Sequence, residues 1–254
     1  MQAGHRERAN SPRSDSDRFT TVPACSVVSA PQRAYDGMLA CIQLLRRSPW
    51  FVAMALAALW VFGAVELPLL LGADPAWSAR IHPVAWLLHL HAVCGVAALT
   101  SGSLQFATAI RRRYPRLHRV LGVCYTMAIA IASPAAIVVA VRLCEPELAL
   151  AASVQACLWL VATIAGVRAA CHGDIAHHAW WMTRSFALTY TFVVGRLVTD
   201  VFHLRLPAAI GGDVALTWLL TLAALIVADL CYAQIQPGQG FIPDRPHRMR
   251  ALPA

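Results

Sequence analysis

Six long apolar runs constrain this chain more than anything else in it. They cover about residues 50–71, 84–110, 120–143, 148–170, 183–206 and 214–235. Each reaches the roughly 20 residues a helix needs to cross a hydrocarbon core. None alternates in the manner of a membrane β-strand. The chain is 58% hydrophobic and 13% charged, whereas an ordinary soluble domain is about 25% charged. A soluble protein burying six such helices would need far more polar surface than this chain owns. The runs therefore predict an all-α fold: an integral membrane helical bundle of six transmembrane helices over residues 50–235. No internal repeat accompanies them, so an inverted-repeat transporter is not directly indicated.

The flanks are a different material. Residues 1–49 are rich in Arg, Ser, Pro and Asp with little periodicity, the composition of a disordered tail. No clean apolar core follows the early charges, so no signal peptide is expected. Met38 opens MLACIQLLRRSPW, an interfacial segment whose methionine is an alternative start to Met1. Residues 236–254 form a second tail. The basic residues number 21, all arginine, for a net charge of +8. Seven lie in the N-terminal tail, five in RRRYPRLHR at 111–119, two at 168–184 and three in the C-terminal tail. The positive-inside rule then places both termini in the cytoplasm, and the membrane expected is a cytoplasmic (inner) one. Trp77 and Trp86 would mark the outer interface, and Trp50, Trp180 and Trp181 the inner one. Arginines held in tails and short loops are not a nucleic-acid face, so the partner expected is the lipid bilayer. The eight cysteines include no CxxC, and those inside the runs read as small hydrophobes.

Within the fifth run, RLVTDVFH places Arg196, Asp200 and His203 in eight residues. At helical spacing Ser185, Thr189, Phe192, Arg196, Asp200 and His203 form one stripe. Such a seam must face other helices or a wet cavity. Arg196 and Asp200 are one turn apart and can neutralise each other. At 1.5 Å per residue, Arg196 lies roughly 15 Å below the outer end of its helix, His91 about 10 Å and Glu66 about 8 Å below theirs. An outer-half cluster of Glu66, His89 or His91, Arg196 and Asp200 follows. His89 and His91 face different ways, so one of them joins it. It reads as a binding site, a proton relay or a cofactor pocket, or as a network that only fixes helix packing. Asp229, near the inner end of the sixth run, reads as a snorkelling or capping residue. A second group, His118, His177 and His178, sits at the inner face, where His, Trp and Arg also serve as headgroup anchors.

Three segments carry a resemblance: HAVCGVAALTSGSLQF, RRRYPRLHRVLGVCY and GDIAHHAWWMTRSFALTYTFVVGR. Together they resemble a family of bacterial membrane proteins known as domain of unknown function 2306. The family pattern falls on His91 before Gln105 and Phe106, then on Arg111, His118, Arg119, Gly122 and Tyr125. It continues through Gly173, Asp174, His178, Trp181, Met182, Arg184 and Arg196. The resemblance covers roughly residues 89–205. Val123 and His177 depart from it at positions where the family often has Arg. It implies a residue set, since the family has no established activity.

Three functions compete. A haem b or other His-ligated redox cofactor would use His91, His118 and His178, with His203 as a further ligand. His178 and His203 are 25 residues apart, about 37 Å of helix. That exceeds the hydrocarbon core, so a single haem at one face, between His118 and His178, is the form that survives. A small transporter or proton-coupled carrier would instead use Glu66, His91, Arg196 and Asp200. A non-catalytic scaffold or sensor reading anionic lipid through its arginine loops is the third reading. No hydrolase or transferase motif is present: the serines lack GxSxG, and HHAWW is not HExxH. The cofactor reading stands first on sequence, transport second.

Overall fold

The computed structural model describes residues 49–235. The expected tails, the Met38 segment and the start-site question lie outside them. Among the described residues every regular element is helical. Helix α1 runs Pro49–Val61 and continues through a π-helical turn, Phe62–Glu66, into Leu67–Leu70. Short α2, Pro75–Ile81, leads through a 3₁₀ turn, His82–Val84, into α3, Ala85–Gln105. Short α4 is Thr108–Arg113, α5 is Pro115–Leu143 and α6 is Pro146–Cys171. Helix α7 is Ile175–Arg196, extended by a second π-helical turn, Leu197–Val201. Helix α8 is Gly212–Ile235.

Local chemistry sets these boundaries. Pro75, Pro115 and Pro146 each open a helix. There the missing N–H costs nothing and the fixed φ suits the first turn. Asp74 caps α2 by accepting from Ala76 N and Trp77 N at 2.9 and 3.1 Å. Gly173 leaves α6 at φ +75°, a left-handed position that a side chain resists. Asp174 then caps α7 through His177 N at 3.0 Å.

Five stretches are long and apolar enough to cross a membrane: Val52–Leu70, Pro75–Gln105, Pro115–Leu143, Pro146–Cys171 and Gly212–Ala233. Helix α7 is as long as several of them but carries His177, His178, Arg184 and Arg196 and does not join them on composition. It starts at Ile175, eight residues before the apolar run at 183–206, because Asp174 supplies a cap upstream of the apolar stretch. It stops short of Leu206, because the chain turns out of the helix at Phe202 and His203, the latter at φ +53°.

Helix α3 packs along α5, α5 along α6, α6 along α7, and α7 along α8, while α1 lies on α3. Helix α7 also touches α1 and α3 and shares hydrogen bonds with Tyr125 of α5, so it meets all five of the other long helices. The interior is built from small and hydroxyl side chains: Ala98, Ala132, Ala162, Ser103, Ser133, Thr163 and Ser185 are all at most 3% exposed. Large aliphatic side chains point outward, as Val123, Met127, Ile131 and Val138 do on α5 and Leu219, Leu222, Ile226 and Leu230 on α8. Lipid gives helices no hydrophobic reason to associate, so close backbone approach between small residues holds them together. Gly102 allows an equally close approach to two aromatic rings. A Cβ there would lie 2.8 Å from the Phe186 ring and 2.9 Å from that of Tyr125.

Candidate functional site

One end of the bundle carries the segments at 71–84, 144–145 and 202–211; the other carries the arginine-rich segment at 106–114 and the 172–174 turn. A cavity of about 510 Å³ occupies the first half. Helices α1, α3, α5, α6, α7 and α8 all contribute to its wall. Exposed Arg205 and Asp213 line it, so it reaches the surface at that end. Its floor is formed by Trp159, Leu188 and Thr189, all below 9% exposed.

The charged feature in its wall is a three-membered ion junction. Glu66, 6% exposed, ends the π-helical turn of α1 and pairs with Arg196 Nε. Arg196 Nη1 donates to Asp200 Oδ2 at 3.0 Å. Asp200 belongs to the π-helical turn that follows α7. The Arg196 guanidinium also lies 5.6 Å from the Phe192 ring centroid, within cation–π range. Both acids of the junction therefore sit in π-helical turns, which occur rarely and cluster at functional sites. The His91 Nδ1–H donates to the Ala132 carbonyl at 3.0 Å, and the ring lines the same cavity. His89 turns away to the Ala85 and Leu70 carbonyls. His203 lies past the helix, exposed, and is not brought to the junction. The π-helical turn breaks the 3.6-residue spacing that put it on the stripe.

Below the floor lies a polar network the sequence reading saw only in part. Tyr125 Oη sits 2.8 Å from Ser185 Oγ and 2.9 Å from Thr189 Oγ1. Trp159 Nε1 donates to Thr189 Oγ1 at 2.8 Å, and Thr163 Oγ1 meets Ser185 Oγ at 2.7 Å. Gln155 donates to Thr191 Oγ1 just above it. Ser185 and Thr189 lie on the expected stripe. Thr163, Trp159 and Gln155 come from α6, whose overall apolarity hides them; a polar residue facing inward at each turn was the available signal.

At the arginine-rich end, the His178 Nδ1–H donates to the Gly166 carbonyl at 2.8 Å. His118, in the first turn of α5, lies within electrostatic reach of His178 and Arg111. Its Nδ1 is buried and meets no hydrogen-bonding group. His177 pairs with Asp174 at 2.6 Å. Asp174 is held below the usual carboxylate range, first by the His177 backbone N–H and then by the His177 ring. Asp229 is neither snorkelling nor capping. It takes a two-pronged grip from Arg184, at 2.9 and 2.6 Å, and a bond from Trp180 Nε1 at 3.2 Å. Arg184 in turn stacks 3.6 Å from the Trp180 ring centroid. Among the described residues, no three His, Cys, Asp or Glu side chains gather at metal-binding spacing.

A family model described as "Predicted membrane protein (DUF2306)" matches residues 88–232. The chain belongs to that family. The DUF2306 match takes in α8, where the sequence resemblance stopped near residue 205. It includes His91, His118, His178, Arg196, Asp200 and Asp229 and leaves out Glu66. No match to the chain was found among curated proteins or solved structures. The DUF2306 protein is thus a helical membrane protein whose activity has to be argued from its site.

Proposed function

We propose that this protein is a small proton-coupled carrier whose substrate enters the cavity between α1, α3, α5, α6, α7 and α8. The observation that carries this reading is the Glu66–Arg196–Asp200 junction standing in the wall of a cavity of about 510 Å³. A cavity of that size suits a small molecule. Ionisable groups inside a membrane are expensive, and their usual use is a substrate or proton path. On this reading α7 is the sixth span. Its polar face is tolerated because it meets five other helices rather than lipid. The arginine distribution supports cytoplasmic termini and a cavity open to the outside, and the family resemblance implies residence in a bacterial inner membrane.

The test is solute-driven proton movement in proteoliposomes of the full chain, read by a pH dye trapped in the lumen. Small cationic, anionic and zwitterionic solutes are applied in turn across a pH gradient. A solute-dependent change in lumenal pH, lost in Arg196→Gln, is expected. No change with any class, from protein that is monodisperse in detergent, overturns the reading.

One observation favours a second reading, a single haem at the arginine-rich end. His118 and His178 approach each other there, and His178 keeps Nε2 free to ligate. A neutral imidazole fixed through its other nitrogen is the form that binds iron. A dithionite-reduced-minus-oxidised spectrum of protein made with ample haem decides it. A b-type signal lost in His178→Ala supports haem, and a colourless protein removes it.

A further inference from the structure

We infer that the cavity takes an apolar-bodied monovalent organic cation and exchanges it for one proton held on the Glu66–Asp200 carboxylate pair. This rests on the carrier reading and names its substrate class.

The argument begins with charge. The junction holds two carboxylates, Glu66 and Asp200, around one guanidinium, Arg196. The other charged groups lining the cavity are Arg205 and Asp213 at the mouth, one of each sign. Arg196 cancels one carboxylate, and one negative charge is left over. Glu66 is 6% exposed, and an uncompensated carboxylate at such a place is strongly unfavourable. Something positive must therefore accompany the pair. The candidates are a proton, shared between two coupled carboxylates, or a cation in the adjoining space. The two compensate the same charge, so they exclude each other.

The wall decides what kind of cation. Phe62, Leu88, Val96, Val139, Leu188 and Phe192 make most of it apolar. A metal ion or a small hydrated amine would lose its water against these side chains and gain little. A cation whose charge is shielded by an apolar body fits both the wall and the junction. Phe62 and Phe192 are placed beside the junction in sequence and line the same cavity, which allows cation–π attraction. Anions are disfavoured, because Arg196 is already occupied from two sides.

The remaining titratable groups facing this space, among the described residues, are His91 from α3 and Cys144 beyond the end of α5. Helix α6 contributes none to the wall. His91 donates Nδ1–H to a carbonyl, so a proton it releases would come from Nε2. The exchange is electroneutral: one cation enters, one proton leaves and no bond other than O–H breaks.

The test uses two probes of like shape and opposite charge, tetraphenylphosphonium and tetraphenylborate. Each is titrated into the detergent-purified full chain in weak buffer, with empty micelles as the blank. Calorimetry reads binding and a pH dye reads proton release. Saturable phosphonium binding with about one proton released per cation is expected, and binding should weaken about tenfold per unit of falling pH wherever that stoichiometry holds. Glu66→Gln should abolish the release, whereas His91→Gln should leave it. The wild-type stoichiometry stands as evidence even where a variant folds poorly. Saturable borate binding, phosphonium binding without proton release, or release lost in His91→Gln but kept in Glu66→Gln overturns the inference. Binding of neither probe, alongside proton movement driven by some other solute, overturns the inference and leaves the carrier reading standing. Binding of neither probe and no solute-driven proton movement removes both.

Discussion

Glu66 and Asp200 belong to different helices yet grip the same guanidinium, that of Arg196, each from a π-helical turn. The three side chains are therefore one energetic unit. Arg196→Gln leaves buried Glu66 without its partner and should destabilise the protein by about 3 kcal/mol. Glu66→Gln combined with Arg196→Gln should recover part of that loss. Asp200→Asn should cost less, because its side chain keeps 23% exposure. Reversible unfolding in mixed micelles, run as a double-mutant cycle, checks all three.

The network beneath the cavity makes a second prediction. Tyr125→Phe removes one hydroxyl, but Ser185 keeps Thr163 and Thr189 keeps Trp159. It should cost about 1 kcal/mol. Thr189→Val instead strands Trp159 Nε1 at 8% exposure and takes one partner from Tyr125. It should cost about 2 kcal/mol or more. Thermal unfolding in detergent, followed by near-ultraviolet dichroism, separates the two.

Two glycines allow close packing to different degrees. A Cβ on Gly102 meets two rigid aromatic rings below 3.0 Å, whereas one on Gly166 meets the Met182 side chain, 2.6 Å from Sδ. A methionine can swing aside and a wedged ring cannot. Gly102→Ala should thus destabilise by about 2 kcal/mol and Gly166→Ala by clearly less, read as the shift in unfolding midpoint.

Acid should expose the α7 cap. Asp174 has its pKa depressed in the folded state below the ordinary 3.8. Its stabilising contribution is present above that unfolded value and is lost as the pH falls through the lower, folded one. Asp174→Ala should cost about 1 kcal/mol near neutrality. The gap between wild type and variant should narrow below about pH 4, where the wild type loses the same contribution. Paired melting curves across the acid range would show it.

Much of this was open to a reader of the sequence, because lipid imposes a crude rule. Apolar length forces helices, and five of them follow from it directly. Helix α7 obeys a different rule. Surrounded by other helices, it does not need an apolar circumference, so its first two turns, with His177, His178 and Trp180, read as interface. The Arg196–Asp200 pair is legible as i,i+4 spacing, and Glu66 as a residue of matching depth. The π-helical turns are not legible, since an extra residue in a helix has no residue type of its own. His203 shows the effect: counting in steps of 3.6 carries it onto the stripe, and the real chain leaves the helix first. Asp229 looked like a residue reaching for the headgroups because its partner, Arg184, lies 45 positions away.

A π-helical turn holds one residue more than the α-helix it interrupts. Removing a single residue ahead of Asp200, within 197–199, would restore α-helical spacing and turn Asp200 by roughly 100° about the helix. Asp200 would leave its present place on Arg196, with every charged side chain still present in the chain. The site is thus tied to the arithmetic of its backbone. Two chains of this kind can share all the same ionisable residues and still differ in function by one insertion, a distinction that comparing residue identities alone would miss.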